Sequence, residues 1–225
     1  MSAPGLPGMR GATRLGALVL ACTMSLPALA DDACEVALGH GWPPATENYG
    51  SAVEQLLAGG AAPTLMLTRL PARGTEDAVI LVRGEDGSWT LRHAEADQRV
   101  LVWTGSGASM QRELLVDQRP EVLEVPIPAV LAERFIDAWR RTLAVVPPDR
   151  DAPFSEGDTW LLQIEGQRLA GGVPGCGAAE MMVDQVELLI EAADTRESRL
   201  DKRWEDLAES LDEMAAERVA GGGNG

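Results

Sequence analysis

Basic side chains are scarce in this sequence. Its 225 residues carry 19 Lys and Arg against 35 Asp and Glu, a formal charge of −16, and Lys202 is the single lysine. A phosphate backbone is bound by clustered cations that displace its counterions. The arginines here are scattered among carboxylates, so nucleic acid is not an expected partner. The same repulsion disfavours an anionic membrane surface. A macromolecular partner is expected to be a protein, and a cationic one is favoured, because long-range attraction raises the encounter rate. Acidity on its own also keeps an exported protein soluble.

Histidine is limited to His40 and His93. A three-histidine metal site is therefore excluded within one chain, and no His-Glu-x-x-His helix exists. His93 sits on a strand pattern with Trp89 and Leu91, the setting of a hydrogen-bonded structural histidine. Gly105-Ser106-Gly107 lacks the Gly-x-Ser-x-Gly register and joins two strand patterns, so it reads as a turn and not as a nucleophile's elbow. Asp149, Asp151, Glu156 and Asp158 crowd one Pro-rich loop without the spacing of a calcium loop. No catalytic residue, metal site or cofactor is expected.

Long apolar runs are confined to the first thirty residues. Arg10 and Arg14 precede an apolar stretch over residues 15–26, Pro27 ends it, and Ala28-Leu29-Ala30 sets small residues before Asp31. This is the three-part pattern of a secretory signal peptide, too short to span a bilayer. It predicts a periplasmic or extracellular protein that begins at Asp31 and has no membrane span after cleavage. Val19-Leu20-Ala21-Cys22 is a weaker, lipoprotein-like competitor that would leave Cys22 acylated. Cleavage after Ala30 leaves Cys34 and Cys176, which have one intramolecular pairing in an oxidising compartment and are expected to form a structural disulfide.

What remains is patterned for an α+β fold. After an irregular lead-in, Val53, Leu56 and Leu57 recur at helical spacing over residues 49–57, and Gly59-Gly60 stops the run. Residues 63–70, 77–83, 88–95, 99–104, 111–116 and 121–127 read as strands joined by short turns. Residues 77–83 are apolar on both faces and read as a doubly covered strand; Pro126 marks the last as an edge. Their succession predicts an antiparallel meander, in a sheet of about six to eight strands packed by two or three helices. Residues 128–144 form an amphipathic helix with Pro128 in its first turn. Two further strands, 158–165 and 167–171, precede a helix over 178–193.

The chain then becomes highly charged while Leu200, Trp204, Leu207, Leu211 and Met214 keep a 4-3-4-3 spacing, a narrow helical seam. The expected organisation is a signal peptide (1–30), one globular α+β domain (31–193), a charged amphipathic helical extension (194–219) and a Gly-rich tail (220–225). The seam is expected to project from the domain and meet another protein, or a second copy through residues 195–218. Trp89, Trp103, Trp139 and Trp160 fall on expected inward faces. Trp42 joins the seam residues as a candidate partner contact. The functional expectation is an exported bacterial, non-enzymatic protein-binding module, an inhibitor or immunity-type protein against a cationic partner. An exported enzyme with a dispersed site and a self-associating envelope protein are the alternatives.

Overall fold

A computed structural model describes residues 36–44 and 46–221. The expected leader, Cys22, Cys34 and the last four residues lie outside the described residues. The fold is α+β, with an antiparallel seven-stranded sheet and four helices, the last of them C-terminal. The chain order is β1 (Leu38–His40), α1 (Glu47–Ala58), β2 (Leu65–Leu70), β3 (Asp77–Arg83), β4 (Trp89–Glu95), β5 (Leu101–Thr104), β6 (Gln111–Leu114), β7 (Glu121–Pro126), α2 (Ala129–Leu143), β8 (Thr159–Ile164), β9 (Gln167–Gly172), α3 (Gly177–Ala193) and α4 (Leu200–Gly221).

The sheet is covered on both faces, which explains the unbroken apolar runs. On β2, Leu65 and Leu67 face α2, α3 and α4, while Met66 and Leu70 face α1. On β3, Val79 and Leu81 take the first face and Ala78 and Ile80 the second. Strand alternation sends successive side chains to opposite sides, so a strand buried on both sides loses its polar positions. The helix expected over 49–57 is α1, and it ends at Gly59, which takes the left-handed φ of 56°. The helix expected over 128–144 is α2, with Pro128 at its N-cap.

Strand order is β1-β9-β8-β2-β3-β4-β7, and β5 and β6 form a separate two-stranded sheet. The meander thus runs through β2, β3 and β4 and then breaks. The fully buried Glu76 causes the break by holding the chain beyond β4. Its backbone oxygen accepts from Ala96 N–H at 2.9 Å and its carboxylate from Val100 N–H at 2.8 Å. This directs β5 away from the sheet, and β7 takes the edge beside β4. β8 enters next to β2, where both faces are apolar. The lead-in also contributes a strand, as β1 pairs with β9.

The helical extension expected over residues 194–219 does not project. Leu200, Trp204, Leu207, Leu211 and Met214 are all buried, packed into the core shared by the sheet, α2 and α3. A polar pin sets the register of this packing. Trp139 on α2 donates through Nε1 to Gln185 Oε1 on α3 at 2.7 Å, and Gln185 Nε2 donates to Ser210 Oγ on α4 at 3.1 Å. Gln185 has no exposed surface. A buried amide is costly unless both ends are bonded, so it fixes how the three helices meet.

Candidate functional site

The β5–β6 hairpin has an anchored base and a free end. At the base, Leu101 and Leu114 pack against the α1 side of the core, and Leu115 N–H donates to the Val100 carbonyl at 2.8 Å. Tyr49 on α1 donates its hydroxyl to the Glu76 carboxylate, whose other oxygen holds Val100. Burial and that carboxylate push the Tyr49 phenol well above its ordinary range. At the far end a short 3-10 turn, Gly107–Ser109, closes the hairpin, and its serines are spent on the turn itself: Ser109 Oγ donates to Ser106 O at 2.8 Å.

Beyond the base the hairpin shows its apolar side chains to solvent. Trp103 is 61% exposed and Met110 52%. Together with Val116 and Val122 they make four of the eight large exposed hydrophobic side chains among the described residues. Exposed apolar surface is therefore concentrated between residues 103 and 122, on the hairpin and the β7 edge. Glu113, Glu121 and Glu124 are exposed on the same elements. The hairpin itself carries Trp103 and Met110, Val116 follows β6, and Val122 lies on β7. Trp103, expected inside, lies outside because its strand pairs only with β6.

His93 belongs to a different cluster, on the opposite face of the sheet. Its Nε2 lies 3.0 Å from Asp77 Oδ2. Arg69, directly across from Asp77 in the β2–β3 register, donates to both carboxylate oxygens and reaches Glu187 on α3. Burial pushes the Asp77 carboxyl up, but the bonds from His93 and Arg69 outweigh it and hold the group below its ordinary range. Both oxygens of Asp77 are committed to partners. The adjoining cavity of about 490 Å³ is walled by Arg69, Asp77 and Glu187, not by His93. The arrangement is a partly buried ion-pair network bracing β2, β3, β4 and α3, and it offers no free base beside a nucleophile.

The other sequence candidates are placed as follows. Trp42 is half-buried, with the Arg168 guanidinium 4.4 Å over its ring. Arg168 in turn pairs with the buried Glu54 at 3.0 Å. A Cβ at Gly50 would stand 2.2 Å from the Trp42 ring, so the indole is packed on α1 and is not a free contact. Leu200, Trp204, Leu207, Leu211 and Met214 are likewise committed to the core and offer no surface to a partner or a second copy. Asp149, Asp151, Glu156 and Asp158 are exposed in their loop. Among the described residues no group of three or more His, Cys, Asp or Glu is placed to hold a metal ion, and no helix is long and apolar enough to cross a membrane. Cys176, at the N-cap of α3, is disulfide-bonded; Cys34 lies outside the described residues.

The hairpin does not stand out in the sequence, because its strands alternate like any others. The available signal was the β5–β6 pair's shortness and its dense Gly and Ser turn. No family model matches the chain, and neither a curated protein nor a solved structure matches it.

Proposed function

We propose that this is an exported protein-binding module without catalysis of its own, an inhibitor or immunity-type protein that meets a cationic protein through the β5–β6 hairpin. One observation carries the reading: Trp103 and Met110 are exposed on a hairpin whose base is clamped by buried bonds to Glu76. A clamped hairpin loses little conformational freedom on binding, which is what a tight-binding loop requires. An exposed Trp supplies a large contact area for a hot spot. The net charge of −16 and the acids on β6 and β7 favour a basic surface opposite. The signal-peptide pattern of residues 1–30 supports encounter outside the cytoplasm.

The test is site-specific crosslinking in intact cells. A photoreactive residue replaces Trp103 in one protein and Val130, exposed on α2, in another. The reading expects a protein adduct at position 103, weakened by added salt and absent at position 130. Equal adducts at the two positions, or none at 103, would overturn it.

A further inference from the structure

A cleft of about 780 Å³ lies where α2, the second half of α4 and the strand ends at Thr64, Arg83, Trp89 and Glu165 meet. Arg83, Arg134, Arg140, Arg141 and Arg218 line it. In a chain of charge −16 this concentration of guanidinium groups needs a reason. The carboxylates present do not satisfy them fully. Asp137 is shared between Arg140 and Arg141, and Arg83 comes no closer than 3.9 Å to Glu133. Arg134 is paired with Asp212, and Arg140 also reaches Glu165. Arg218 has no hydrogen bond or ion pair among the described residues, and its Nε is buried.

The wall holds a second orphan. Trp89 is only 4% exposed, and its indole Nε1 finds no partner. The Arg83 guanidinium lies 5.8 Å over the same ring. Indole and guanidinium N–H groups donate and never accept. An acceptor settling against this wall can serve these donors, and a fork of guanidinium donors suits carboxylate or phosphate oxygens.

A second cavity of about 370 Å³ has Arg140 in its wall as the first does. Its lining is mainly aliphatic and includes Leu143, Val146, Leu162 and Leu169. An apolar chamber beside a cationic mouth fits a ligand with an acidic head and an apolar tail. We propose that this pair of cavities binds an anionic amphiphile. The phosphate or carboxylate head meets Arg83, Arg218 and the Trp89 N–H, and the chain runs past Arg140 between the C-terminal end of α2 and strands β8 and β9. The proposal is independent of the hairpin's partner.

Calorimetric titration of the full mature chain tests it. Dodecyl phosphate and dodecanoate, each below its micelle concentration, are compared with inorganic phosphate and with uncharged dodecyl maltoside. At least one acidic amphiphile should bind about tenfold or more tighter than either control. Dodecyl phosphate alone would identify a phosphate head, and dodecanoate alone a carboxylate head. Arg218→Gln and Arg83→Gln, both at partly exposed side chains, should each weaken that binding severalfold at unchanged circular dichroism. Trp103→Ser should leave it unchanged. Absence of binding, equal affinity for dodecyl maltoside or for inorganic phosphate, or loss on Trp103→Ser without loss on Arg218→Gln would overturn the proposal.

Discussion

The Tyr49 hydroxyl donates to the carboxylate of Glu76, a side chain with no exposed surface. The other carboxylate oxygen takes the Val100 N–H, so one acid joins α1 to the start of the β5–β6 hairpin. Tyr49→Phe removes that donor and leaves a buried carboxylate oxygen without a partner. The expected cost is about 1–3 kcal/mol. Urea denaturation measures it, and amide exchange at Val100 should quicken by more than exchange at Leu67 in the central strand. A loss of stability with no preference for Val100 would count against the clamp.

Asp77 is the acid-labile joint of the opposite face. Its folded pKa lies below the ordinary value, because His93 and Arg69 outweigh burial. A depressed carboxylate contributes stability that is present above the unfolded value of about 4 and is lost as pH falls through the folded value. Denaturation midpoints should therefore decline as the pH is lowered from 5. In Asp77→Asn that decline should shrink, and the variant should lose about 1–3 kcal/mol at neutral pH, since Arg69 and His93 lose the carboxylate they share while Arg69 keeps only its exposed pair with Glu187. An unchanged pH slope in the variant would remove Asp77 from the account.

Leu207 and Leu211 are each 1% exposed on α4. Truncating either to Ala should cost about 2–5 kcal/mol, the range for a buried leucine. A mobile extension would instead lose almost nothing. Fluorescence of Trp204, kept as the sole tryptophan, should be blue-shifted in the isolated protein and should shift red on denaturation.

The disulfide and the leader make one joint expectation. The mature chain should begin at Asp31 and join Cys34 to Cys176, and Cys34→Ser should cost about 2–5 kcal/mol. N-terminal sequencing and thiol titration of unreduced protein decide it. Two free thiols, or a lipid on Cys22, would sink it.

Much of the architecture is legible in the sequence alone. The helical spacing of residues 128–144, the two-sided apolar run on β3 and the Pro126 edge each follow from a local period that backbone geometry imposes. The exposed face of the β5–β6 hairpin was not legible in the same way. Trp103 alternates on its strand as Trp89 does, yet Trp103 is 61% exposed and Trp89 4%. Alternation states that a strand has two faces; it does not state what lies against either. That depends on Glu76 drawing Ala96 and Val100 aside, a contact between segments that no local pattern encodes.

The C-terminal helix divides the two kinds of information most clearly. The sequence by itself determined that residues 200–214 carry a narrow apolar seam on a charged helix, because 3.6 residues per turn bring those five side chains to one side. Whether the seam faced a partner, a second copy or its own domain was decided only by tertiary structure. Trp139, Gln185 and Ser210, distant in sequence, form a bonded chain across three helices. Burial of the five apolar side chains against the core seats α4 on the domain, and the buried amide, which keeps its hydrogen bonds in that one arrangement, sets the register.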